Sequence, residues 1–142
     1  MTPAPESPDA GERKPAEQSE GGRSGVAESR PLKPRFSFDV AKEPRLTTVT
    51  LSGELDVVCA DVFRRKFMDV AEDEPQRVVI DLRGLTFLDS TGLALLLRVN
   101  EMSHDLGFGL TMVSSDGDAV NKIFRMTGTN AVLPLVSEPP AV

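Results

Sequence analysis

The sequence predicts an α/β domain: a mixed, mostly parallel sheet with helices mainly on one face. Three observations carry that expectation. From Phe36 onward, strand-like and helix-like runs follow the order β-β-α-β-α-β-α-β, and such alternation argues for parallel pairing. Right-handed crossovers between neighbouring strands place the helices together on one side of the sheet. The run Arg45 to Ser52 sets Thr48 and Thr50 opposite Val49 and Leu51. Threonine favours strands and tolerates water, so the second face is expected to be partly open.

Composition narrows the class further. A chain of 142 residues is long enough for one domain with a sizeable core. With 39% hydrophobic but only 5% aromatic residues and no Trp or Tyr, that core must be aliphatic with a few Phe. No segment approaches the ~18 uninterrupted apolar residues of a membrane span. The opening MTPAPESPDA lacks the basic start and apolar block of a secretory signal. One cysteine, Cys59, excludes an internal disulfide and fits a reducing cytoplasm. Acids and bases balance within residues 1–35, so the net charge of −6 falls on the rest. An acidic domain without a basic stripe or an aromatic platform is a poor nucleic-acid binder.

Residues 1–35 hold six prolines and almost nothing large and apolar. They are expected to form a disordered tail, because they bury too little surface to offset the entropy of ordering. Phe36, Phe38 and Val40 then alternate with polar residues as in a half-buried strand, Lys42-Glu43-Pro44 reads as a turn, and Arg45 to Ser52 returns as the second arm of a hairpin. Gly53-Glu54-Leu55-Asp56 ends that strand, with Asp56 as N-cap of a helix from Val57 to about Asp73. Its apolar face gathers Cys59, Val62, Phe63, Phe67, Val70 and Ala71. On that face Cys59 reads as a small core hydrophobe.

A central strand is expected at 77–82, followed by a turn at Arg83-Gly84 and a short run from Leu85 to Leu88. The leucine-rich segment after Asp89-Ser90-Thr91-Gly92 reads as a buried helix from about Thr91 to His104. A strand from Gly107 to Val113 comes next. A third helix, Asp116 to Thr127, turns Val120, Ile123, Phe124 and Thr127 inward, with Gly128 just past its end. A short strand from Ala131 to Val136 completes a folded domain at 36–138, and residues 139–142 form a flexible C-terminus.

Several chemistries fail on residue type or spacing. Ser90 sits at a strand–turn–helix junction, but a nucleophile elbow needs glycine two residues earlier, where Leu88 stands. His104, the one histidine, is fourteen residues along the same expected helix, about 21 Å away. It reads as a helix-end residue favourable to the dipole. One Cys and one His exclude a structural zinc site, and neither phosphate-cradling glycine motif occurs, so no metal or cofactor is expected. Asp81 at the end of a central strand evokes a phospho-acceptor aspartate, yet the first strand ends in Val40-Ala41-Lys42 without the acidic pair such a site needs.

Ser90 reads either as part of a helix cap and nothing more or, in its apolar surroundings, as the acceptor of a phosphorylation switch. Asp89, Ser90 and Thr91 are residue types that cap helix starts, so a serine hydroxyl is offered at the positive end of a helix. A phosphate there gains about 0.3–2 kcal/mol from the helix terminus, and the fold should tolerate it. Apolar Phe87, Leu88, Leu93 and Leu95 surround it. Against a docked partner the same charge must be desolvated, at several kcal/mol.

These residues carry a family resemblance. LSGELD at 51–56, VVIDLRGLTFLDSTGLALLL at 78–97, LTMVSSDGDAV at 110–120 and IFRMTG at 123–128 make the segment from Phe36 to about Glu138 resemble a STAS domain of the bacterial anti-sigma-factor antagonist type. The resemblance implies a small (βα) superhelix. It implies phosphorylation of Ser90, with Thr91 as a weaker acceptor, by an anti-sigma factor that is also a serine kinase. The unphosphorylated form would bind that partner and free the sigma factor, and a PP2C-type phosphatase would reset it. The partner-binding residues implied are Asp89, Ser90, Thr91, Gly92 and Leu93, with Gly53 and Asp56 nearby. Asp56 reads equally well as a helix cap alone. The alternative is a STAS scaffold or transport-complex subunit that works without phosphorylation. The leader exceeds the minimal family pattern.

Overall fold

A computed structural model describes residues 35–114 and 119–140. The expected tail, apart from Arg35, and the expected helix start at Asp116 lie outside the described residues.

Strand β1 (Phe36–Glu43) and strand β2 (Leu46–Leu55) form the antiparallel hairpin. The turn falls on Pro44-Arg45, so β1 runs to Glu43, past the expected Lys42 boundary. β2 also continues through Gly53 to Leu55, where the sequence suggested an end. Gly53 makes this continuation possible. It takes φ +89°, and a Cβ there would lie 2.0 Å from the Arg35 carbonyl oxygen, a contact only glycine permits.

After a 3-10 turn (Val57–Cys59) comes helix α1 (Ala60–Glu72). Strand β3 (Arg77–Leu88) is one continuous element rather than the expected strand and separate run. It pairs in parallel with β2 through two register shifts, which place Ser52 opposite Gly84 and Leu55 opposite Leu88. Each bulge absorbs one extra residue of β3, so the strand bends without losing its partner. Gly84 fits one bulge because a side chain there would meet the Leu51 carbonyl and Ser52, each at 2.9 Å.

Helix α2 (Ser90–Leu106) ends at Gly107, which adopts φ +83° and donates its N–H to the Ser103 carbonyl. Strand β4 (Gly109–Val113) pairs in parallel with β3, and helix α3 (Ala119–Thr127) follows. Thr127 does not point inward as expected. It is exposed, its hydroxyl donating to the Ile123 carbonyl at 2.8 Å, a local bond that Thr makes readily near a helix end. Thr129–Ala131 forms a 3-10 turn, which shortens the last strand, β5, to Leu135–Val136.

Among the described residues the sheet runs β1-β2-β3-β4-β5, antiparallel only in its first pair. The helices α1, α2 and α3 pack on one face, where Leu55, Phe63, Phe67, Ile80, Leu96 and Phe124 lie in one buried cluster. Phe63 meets Phe38 edge-on and stacks on Phe67, with ring centroids 5.6 Å and 6.1 Å apart. Among the described residues the opposite face carries the small cluster Leu46, Val79 and Val113, and Thr50 is exposed there.

Candidate functional site

Parallel pairing brings the carboxyl ends of β2 and β3 side by side, with Leu55 opposite Leu88. Each strand then runs into a helical turn, and each turn opens on an aspartate. Asp56 accepts from the Val58 N–H at 3.0 Å, so it caps the 3-10 turn that precedes α1. Asp89 caps α2, its Oδ1 accepting from the Gly92 N–H at 2.8 Å. Its other oxygen, Oδ2, accepts from the Val57 N–H at 3.2 Å. One carboxylate therefore satisfies orphan donors of two neighbouring helical starts, each of which favours negative charge.

Gly92 explains how α2 comes so close. A Cβ at this position would lie 2.2 Å from the Leu55 carbonyl oxygen and 2.7 Å from Leu88 Cδ1. Any side chain would push the first turn of α2 away from the strand ends. Leu93 is half-buried and packs against the main core.

Ser90 is the first residue of α2 and is exposed. Its hydroxyl has no hydrogen-bond partner among the described residues. Thr91 is half-buried. Exposed apolar residues stand on the neighbouring turn and at the end of β3: Val57 is 64% exposed, Val58 69% and Phe87 47%. Of these, Phe87 was legible in the sequence as a contact residue, whereas Val57 and Val58 were assigned to a helix. They stand out because the 3-10 turn rotates them away from the core.

Asp56 and Gly53 have a different setting from Ser90. Asp56 is buried, and its Oδ2 accepts from Arg35 Nη2 at 2.6 Å. The same guanidinium reaches Glu54 Oε1 at 2.8 Å. These carboxylates hold the Arg35 pKa above its ordinary value, the hydrogen bond to Glu54 first. Gly53 lies upstream in β2, paired with Leu85, and its carbonyl accepts from the Thr86 hydroxyl. Sequence reasoning placed Arg35 in the tail and missed its pairing, since nothing local in a Pro-rich stretch signals a contact across to residues 54 and 56.

A groove of about 480 Å³ opens beside Ser90, lined by Arg64, Ser90, Thr91, Ala94, Leu95 and Arg98. His104 is exposed in the last turn of α2, at the far end of the helix from Ser90. Cys59 is buried, and burial pushes its thiol pKa up, the protonated and unreactive side for a thiol. Asp81 is held below the usual carboxylate range by its hydrogen bonds to Arg83. Among the described residues no group of three or more His, Cys, Asp or Glu is placed to hold a metal ion. No described helix is long and apolar enough to cross a membrane.

Fold and site together define a class: a small α/β domain, helices on one face, whose parallel strands deliver a capped serine to the surface. The chain belongs to the STAS domain family, matched over residues 37–139. It is 27% identical over 103 residues to the anti-sigma-F factor antagonist RsfB of Mycobacterium tuberculosis, covering 72% of this chain and 82% of that one. It is 33% identical over 89 residues to an anti-sigma F factor antagonist of Paenibacillus polymyxa, covering 61% and 74%. Its fold matches an anti-sigma factor antagonist from Mycobacterium paratuberculosis with TM-score 0.63 and 28% identity, over 72% of this chain and 86% of that one.

Proposed function

We propose that this protein is an anti-sigma factor antagonist switched by phosphorylation of Ser90. With Ser90 unmodified it binds an anti-sigma factor that is also a serine kinase, and the sigma factor is released. The kinase transfers the γ-phosphoryl group of ATP: the Ser90 Oγ–P bond forms, the bond to the β-phosphate bridging oxygen breaks, ADP leaves, and the hydroxyl proton passes to the kinase's base. A PP2C-type phosphatase hydrolyses the ester and resets the cycle. The protein acts in the cytoplasm as a binding switch, not as an enzyme.

One observation carries this reading: an exposed hydroxyl at a capped helix start, with no hydrogen-bond partner among the described residues and with exposed Val57, Val58 and Phe87 on the neighbouring turn and strand end. A docked partner covers these residues and strips water from Ser90. A phosphate of about −1.5 to −2 charge then has to be desolvated inside the contact, while in the free protein it sits in water at a favourable helix terminus. The complex is lost and the fold is kept.

The test is incubation with candidate anti-sigma kinases and ATP, followed by peptide mass mapping. Phosphate is expected on Ser90 and absent from Ser90→Ala. A fully phosphorylated Ser90→Ala moves the site, with Thr91 the next position to examine. Ser90→Asp is expected to fold normally and to bind the anti-sigma factor a hundredfold or more weaker by calorimetry. Tight partner binding by a chain that no kinase modifies would instead favour the scaffold or transport-complex reading.

A further inference from the structure

The groove beside Ser90 carries two arginines from two different helices, Arg64 on α1 and Arg98 on α2. We infer that these two side chains are an internal receptor for the phosphoryl group on Ser90, so that the modified protein closes a clamp on its own phosphate. This rests on the phosphorylation reading above and adds where the group goes once attached.

Ser90, Ala94 and Arg98 stand four residues apart and form one ridge of α2. Eight residues rise about 12 Å. Helical side chains can lean toward the N-terminus, and Arg98 lines the same groove as Ser90. Ala94, with only a methyl group, leaves the way clear. Arg64 borders the same groove from the α1 side.

Without phosphate, each arginine is held by a carboxylate on its own helix. Arg64 Nη1 lies 2.9 Å from Asp61 Oδ1, and Arg98 Nη1 lies 3.1 Å from Glu101 Oε1. Both are single contacts between exposed side chains three residues apart, a class of pair that contributes little and exchanges readily. A dianionic phosphate offers three strong acceptor oxygens to two guanidinium forks and outcompetes them. The carboxylate beside Ser90, Asp89, is already bound by the Val57 and Gly92 N–H groups. Arg64 and Arg98 are the cations that line the groove.

The clamp is tested on protein carrying phosphoserine at position 90, installed during translation by stop-codon suppression, so that no kinase is needed. Phosphorus NMR follows the second phosphate ionisation, ordinarily near pH 6. Nearby cations favour the dianion. The midpoint is therefore expected to rise by about half a pH unit or more in Arg64→Gln/Arg98→Gln, with each single variant part-way. The charge-keeping Arg64→Lys/Arg98→Lys should retain most of the depression. Arg65→Gln, which alters a charge on α1 outside the groove, should leave the midpoint where it is. A double glutamine variant that titrates with the unmodified parent overturns the clamp, as does an equal effect from Arg65→Gln. Neither result bears on whether Ser90 is the kinase's acceptor, which Ser90→Ala decides separately.

Discussion

At the scale of single residues, the site depends on atoms that are absent as much as on those present. Gly92 has room for a hydrogen and nothing more against the Leu55 carbonyl. Gly92→Ala is expected to destabilise the domain by about 1–3 kcal/mol through overpacking against backbone, read from chemical denaturation. Arg83 and Asp81 give a pH signature. Arg83 holds the Asp81 carboxyl down, so the folded pKa lies below the unfolded one. That stability is present above the ordinary carboxylate range and is lost as pH falls through the folded value. Arg83→Ala should raise the Asp81 midpoint in a carboxylate NMR titration, and should remove this contribution to acid resistance. Ser90 itself was legible because cap residues announce a helix start. Arg64 and Arg98 were not, because each reads in sequence as one more charge on a solvated helix face. Only the packing of α1 beside α2 makes them neighbours.

At the scale of elements, what the sequence shows most clearly is periodicity, and what it hides is anything that interrupts a period. The hairpin, the three helices and the parallel core strands follow from alternation and three- and four-residue spacing. The continuity of β3 did not. Arg83-Gly84 carries the signature of a turn, and the bulges that absorb it exist only because β2 lies alongside to receive them. In the same way Val57 to Cys59 continues the pattern of α1, yet forms a 3-10 turn that turns two valines out to the surface. Capping is an element-scale property with a test of its own. Asp89 serves both the start of α2 and the N–H of Val57. Asp89→Ala should therefore cost at least the upper part of the usual cap range, about 1–2 kcal/mol, in a thermal or denaturant melt. Asp89→Asn keeps an acceptor and should recover part of that loss.

At the scale of the whole domain, the described helices cover one face of the sheet, and the carboxyl ends of parallel β2 and β3 meet beside the start of α2. Cys59 belongs to the supporting core. Buried and with its pKa pushed up, it should react with a thiol reagent at neutral pH only at the rate of unfolding, measured by mass spectrometry over a time course. Ser90→Ala and Ser90→Asp should melt within a degree or two of the parent, since an exposed side chain without partners among the described residues leaves the core untouched.

The shared carboxylate of Asp89 has a kinetic consequence. It ties two helix starts together beside Ser90. On the function proposed above, the added charge would therefore arise on the contact surface itself rather than be relayed to it through the core. The tempo of signalling would then belong to the enzymes that write and erase the ester.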